Sequence, residues 1–175
     1  KIDNYLQNGG TEAVAKIDDD YDSLAKGDMK IKYTNDYDIS QEQGDKKRGE
    51  YILLKPYPQD QLIIGYETVY GNRNTTIEKV VKINEQAYLN FLRLEKNVNP
   101  TPSKVEIKKI GDYDVHMLNI NYDNNTLYLY CLESQDHILR LTSYKKHLLD
   151  AIIRDIEVSP IGTGKKGDTI SKMEK

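Results

Sequence analysis

Cysteine is nearly missing from this 175-residue chain: Cys131 stands alone. An internal disulfide and a multi-cysteine zinc site are therefore excluded. Tryptophan is absent and phenylalanine occurs once, so the aromatic content is carried by 14 tyrosines. No apolar run approaches the roughly 20 residues that a membrane-spanning helix needs. Neither charge sign dominates: 25 basic and 28 acidic residues are interspersed and leave a net charge of -3. Phosphate recognition needs a concentrated basic face, so nucleic acid is not an expected partner. The length suits one domain with a tail or two, and is enough to bury a core.

What is present is a dense unit at 111–156, GDYDVHMLNINYDNNTLYLYCLESQDHILRLTSYKKHLLDAIIRDI. It reads as three strands joined by two tight polar turns, followed by an amphipathic helix. The first turn, Tyr122-Asp123-Asn124-Asn125, offers the residue types that tolerate positive φ in hairpins. In the helix over Lys145–Asp155, Leu148, Leu149, Ile152, Ile153 and Ile156 form one stripe. Glu157-Val158-Ser159-Pro160 closes the fold with a final short strand.

Upstream, residues 1–27 read as a polar arm or linker, with a short helix over 12–17 capped by Thr11. The run Asp18, Asp20, Asp22 imitates a calcium loop. Ser23 replaces the turn glycine, however, and Met29 stands where the bidentate Glu belongs. DMKIKYT (28–34) alternates as a half-buried strand, and 41–50 is a loop by composition. Tyr51–Leu54 and Gln61–Tyr70 are strands, the second with Gly65 as a bulge. The longest helix spans 75–96, capped by Thr75 or Thr76. Ile77, Val80, Val81, Tyr88, Phe91 and Leu92 lie on its apolar face, and Asn84 is the one interruption. Lys104–Ile110 is an exposed edge strand. The tail 161–175 lacks periodicity. Its Gly162 and Gly167 are followed by Asp168-Thr169 without the lysine of a phosphate loop.

In Leu127–Leu132 both strand faces are apolar or amphipathic, so both need cover. The expected fold class is α+β: an antiparallel sheet of six or seven strands over 28–160, with helices on both faces as an α/β/α sandwich. A cystatin-like or nuclear-transport-factor-like curved sheet over one helix is the competing architecture. The order MKIKYT, YILLK, QLIIGYETV, TTIEKVVKINEQAYLNFL, KVEIKKIGDYDVHMLNINY, TLYLYCLE, HILRLTSY and KKHLLDAIIRDIEVS resembles the PsbP-like group over residues 28–159. The early proline–tryptophan pair of that group is absent here. The resemblance implies a docking or assembly role, often at a membrane surface, and brings no catalytic residues.

The candidate chemistry is sparse. Asp114 and His116 share one face of a strand, and simple hairpin registers would bring His137 near them as a small metal site. A one-residue slip would send His137 to the other face. His147 reads as a rim residue of the last helix. Cys131 with His116 or His137 is the one imaginable nucleophile pair, but the thiol sits among apolar residues and reads as inert. No nucleophile elbow is present. Asn74-Thr75-Thr76 and Asn124-Asn125-Thr126 match glycosylation acceptors, which matter only in a eukaryotic secretory setting.

These readings assign no catalytic, cofactor or metal residues. They favour a non-catalytic binding or assembly domain of a bacterial cell-envelope lipoprotein or secreted protein, located outside the cytoplasm. Its partner would be another protein or an envelope component. The chain begins with Lys1, which reads as a fragment whose membrane contact would come through an anchor preceding it. The alternatives are a metal-dependent hydrolase using Asp114, His116 and His137, and a cytoplasmic adaptor. The surface loops at 41–50, 56–61 and 97–103 are the expected seats of function.

Overall fold

A computed structural model of the chain describes residues 15–18, 21–26, 29–34, 37–44, 48–55, 60–68, 75–134 and 137–158. Strands β1 (Ala15–Asp18), β2 (Tyr21–Lys26) and β3 (Met29–Thr34) form an antiparallel meander. The closing strand β12 (Glu157–Val158) pairs with the free edge of β3, giving a four-stranded sheet. A second meander is β4 (Asp38–Gly44), β5 (Arg48–Leu54) and β6 (Leu62–Thr68). Helix α1 (Ile77–Leu94) follows. After it come the short β7 (Thr101–Pro102), β8 (Glu106–Ile110), β9 (Tyr113–Tyr122), β10 (Asn125–Glu133) and β11 (His137–Ser143), then helix α2 (Lys146–Arg154).

Pairing of β11 with β6 joins the two later meanders into one antiparallel sheet, in the order β4-β5-β6-β11-β10-β9-β7. β8 lies along the same outer edge of β9. The α+β class and the antiparallel sheet of the expected size are therefore present. No helix among the described residues is long and apolar enough to cross a membrane.

The polar segments depart from expectation. Ala15–Asp18 is a strand and not part of a helix over 12–17, and β1 and β2 occupy much of the supposed arm. The supposed loop at 41–50 instead carries the ends of β4 and β5, paired from Gln41↔Ile52 to Gly44↔Gly49. Backbone hydrogen bonds hold a strand whatever its side chains, and an edge position leaves polar residues in water. The register runs unbroken through Gly65, opposite Arg140 on one side and Glu50 on the other, so no bulge forms there. Asn74, most of 56–61, the segment 1–14 and the tail 161–175 lie outside the described residues.

Alternate residues of a strand point to opposite faces, and two hydrophobic clusters divide on that parity at β10. Leu127, Leu129 and Cys131 pack with Ile77, Val80, Val81, Leu89 and Leu92 of α1. Tyr130 and Leu132 pack with Leu149, Ile152 and Ile153 of α2, and with Ile31 and Tyr33 of β3. Five tyrosines (Tyr33, Tyr37, Tyr51, Tyr66 and Tyr130) are buried in this second cluster. The Tyr51 and Tyr66 rings stack at 5.8 Å between centroids. Tyr130 also donates to Asp150 Oδ1 at 2.9 Å, fixing α2 to the sheet. Thr76 caps α1, its hydroxyl accepting from the Lys79 amide at 3.2 Å.

The β9–β10 hairpin turns as its sequence dictates. Asp123 and Asn124 have φ of 46° and 64°, and Tyr122 and Asn125 close the register around them. Positive φ at both central residues defines a two-residue turn that matches the twist of the strands. Asn124→Val is therefore expected to lower stability by about 1–2 kcal/mol, while Asn124→Gly is neutral or slightly stabilising. Urea unfolding of the three proteins measures this directly, and equal midpoints for Val and Gly would contradict the assigned turn.

Candidate functional site: a tyrosine-rimmed cleft between helix and sheet

The sheet is wider than α1 can cover. The helix seals β9 and β10, but β5 and β6 on the same face remain partly open. Ile52 and Ile63, cross-strand partners, are only half-buried there. The uncovered part forms a cleft of about 600 Å³. That volume falls within the range of small-molecule sites, roughly 300–1,000 Å³. Ile52, Ile63 and Arg140 form its floor, and Asn84, Ala87, Tyr88 and Phe91 of α1 form one wall. Tyr122 and Tyr144 stand at one end and Lys96 borders the opening.

The floor is organised by a row of three residues on adjacent strands. Glu50 on β5 lies opposite Gly65 on β6, which lies opposite Arg140 on β11. The Arg140 guanidinium crosses over Gly65 and donates from Nη1 to Glu50 Oε2 and from Nη2 to the Gly49 carbonyl, both at 3.3 Å. A Cβ at position 65 would lie 2.3 Å from Arg140 Cζ. Glycine leaves the guanidinium room to cross, whereas a side chain here would require the end of the flexible arginine to move. The Arg140 and Glu50 side chains are 13% and 27% exposed, so the pair is shielded from water without being sealed in. Beside it, Arg48 Nε meets Glu67 Oε2 at 2.9 Å across the same two strands.

Two donors in the cleft lining have no acceptor. Arg140 Nε and Asn84 Nδ2 are buried and form no hydrogen bond. Asn84 is only 5% exposed although it interrupts an otherwise apolar stripe. Tyr88 is hydrogen-bonded to Thr142. Burial, then the neighbouring Glu50 carboxylate, pushes its phenol up to about 12. At the far end the Tyr122 and Tyr144 hydroxyls hydrogen-bond to each other, with rings edge to face at 6.4 Å. Burial, then that bond, raises the Tyr144 phenol further. Tyr88 and Tyr144 therefore stay protonated at neutral pH.

The residues singled out from the sequence do not assemble. His116 and Arg140 are both register partners of Cys131, so all three face the α1 side. His137 has the parity of Leu139 and faces the other way, where it is fully buried with its ring edge-on to Tyr66 at 6.4 Å. The one-residue offset separates it from Asp114 and His116. Asp114 instead pairs with Lys109 at 3.4 Å on the exposed edge. Among the described residues no group of three His, Cys, Asp or Glu could hold a metal ion. Cys131 and His116 do share a face, but burial pushes the thiol up to about 12, against a weaker lowering by Arg140. A nucleophile would need the thiolate. His147 is exposed on α2. Phe91, expected on the buried stripe of α1, is 47% exposed at the cleft.

Of the three loops favoured from the sequence, among the described residues only Glu50 at the end of 41–50 and Gln61 at the end of 56–61 reach the cleft. Residues from 97–103 do not line it, and Thr101–Pro102 is spent on pairing with β9. Asn84 carried the one legible signal, a polar residue at a core position. Glu50, Gly65 and Arg140 carried none, since they meet only through strand pairing.

Two measurements follow from this geometry. Replacing Asn84 by Leu removes a buried donor that lacks an acceptor, so the variant is expected to fold and to gain about 1 kcal/mol in urea unfolding. A loss of similar size would mean that the amide is satisfied. The tyrosine shifts give the second. An unfolded Tyr88 ionises near 10.0 and the folded one near 12. Its contribution to stability is therefore complete below about pH 10, and is lost as pH rises through that window, by about 1.4 kcal/mol per pH unit. Tyr88→Phe should flatten the stability–pH curve above about pH 10. An unchanged slope would contradict the burial of that phenol.

No family model matches the chain, and no curated protein matches it. A crystal structure of a protein from Bacteroides thetaiotaomicron VPI-5482 is similar over 79% of this chain and 50% of its own, at 14% identity and a TM-score of 0.47. The chain spans half the length of that neighbour.

Proposed function

We propose that the chain is a non-catalytic binding domain whose ligand occupies the cleft between α1 and the β5–β6 part of the sheet. The cleft itself carries this reading. Ile52, Ile63, Phe91, Leu92 and Leu127 give it apolar surface, three tyrosines line it, and two buried donors lie in its lining without acceptors. That combination is what a small-molecule site requires: an apolar body to hold, and a few polar groups to orient it. What supports a non-catalytic role is the protonated thiol of Cys131 and the dispersal of Asp114, His116 and His137 over two faces. The PsbP-like texture of residues 28–159 belongs to the same reading, as does placement in a bacterial cell-envelope lipoprotein or secreted protein. The ligand is then an envelope component or a segment of a partner.

Saturable uptake of the neutral dye Nile red, followed by its fluorescence, tests the cleft. Ala87 lies on an exposed turn of α1 and lines the cleft, so Ala87→Trp fills the space without entering the core. The native chain is expected to bind the dye, and the variant to lose at least about tenfold in affinity with its unfolding midpoint unchanged. Equal binding by the two proteins, or none by the native chain, would refute the site.

A further inference from the structure

The chemistry of the cleft floor narrows the ligand class, on the reading that the cleft is a binding site. We infer that it takes an uncharged amphipathic molecule, one that places a carbonyl oxygen against Asn84 and Arg140 and lays an apolar body over Ile52, Ile63 and Phe91. The two donors without acceptors, Asn84 Nδ2 and Arg140 Nε, call for a hydrogen-bond acceptor. Charge decides which acceptor. The Arg140 cation is matched by the Glu50 carboxylate at 3.3 Å, so the floor is neutral before any ligand arrives. A ligand carboxylate held by these donors would sit beside Glu50 as a second negative charge in a shielded site, whereas Lys96, the other cation of the lining, is exposed to water. A neutral carbonyl satisfies the donors without that repulsion. Asn84 adds a preference for a primary or secondary amide. An asparagine amide presents a donor or an acceptor by a half-turn of its end, so it can match both the carbonyl and the N–H of another amide. The apolar component has room to extend, because Ile83 and Leu94 continue the exposed face of Phe91 along α1 at helical spacing.

Competition against bound Nile red distinguishes this inference from the reading beneath it. Octanamide and octanoate have the same tail and differ in the charge of the head. At neutral pH octanamide is expected to displace the dye at a concentration at least about tenfold lower than octanoate. Asn84→Leu and Arg140→Lys should each weaken octanamide about tenfold, measured against each variant's own dye affinity, the lysine variant keeping a cation for Glu50. Glu50→Gln removes the opposing charge and should improve octanoate about tenfold, reversing the preference. If the native chain binds no dye, the cleft itself is not the site. If it binds dye but octanoate competes as well as octanamide, the inference about the head group is overturned alone. The same holds if the Asn84 and Arg140 variants leave octanamide binding unchanged.

Discussion

The span of Arg140 across Gly65 to Glu50 is the interaction on which the open margin of this sheet depends. It joins three strands, β5, β6 and β11, in a single side-chain row at the place where the two later meanders meet. A charged side chain with no partner in such a shielded position would be costly. With Glu50 and the Gly49 carbonyl as acceptors the cost is largely offset, and the bond acts as a cross-brace. The arginine needs a gap one residue wide between itself and the glutamate, and glycine is the residue that leaves it. The pair is separated by 90 residues in sequence, so the brace forms only once the β6–β11 register is set.

Among the described residues, eight tyrosines fall into two groups with different work. On the α2 side Tyr33, Tyr37, Tyr51, Tyr66 and Tyr130 are core residues, Tyr33 edge to face with Tyr37 and Tyr51 stacked on Tyr66, in a cluster shared by the sheet, α2 and β3. On the α1 side Tyr88, Tyr122 and Tyr144 line a cleft, with their hydroxyls tied to Thr142 and to each other. The chain therefore uses tyrosine where other proteins use phenylalanine or tryptophan, and keeps a polar atom at each ring tip. Composition alone does not separate the two groups; for those on strands, the parity of the position does.

Elements with strong periodicity were legible in the sequence, and elements held by pairing were not. Leu127 to Leu132 alternate so clearly that both faces of β10 were readable as buried, and the Asp123-Asn124 turn was readable from residue type. β1, β2 and β4 are polar and take their structure from neighbours, so nothing in their own residues marks them as strands. His137 shows the limit within a strand. Its residue type invited a metal site, but its face depended on a register that two short turns fix, and one position reverses it. The cleft was less legible still, because it is made by where α1 stops covering the sheet. Only Asn84, polar in an apolar stripe, pointed toward it.

The same brace accounts for the cleft remaining open. A helix lying over β5 and β6 would bury Arg140 and Glu50 completely, and withdrawing an ion pair from water costs several kcal/mol per ion even when the two are matched. Apolar β9 and β10 offer α1 a favourable surface on the same face, so the helix settles there and leaves the charged row at its margin. Ile52 and Ile63 remain half-buried beside that row, because they share strands with the charges that keep the helix away. An apolar pocket with a neutral, hydrogen-bonding floor is thus the residue of a conflict between hydrophobic cover and ion-pair hydration. Asn84, Tyr88 and Leu92 of α1 stand where the two surfaces meet, and Asn84 is the buried polar residue among them.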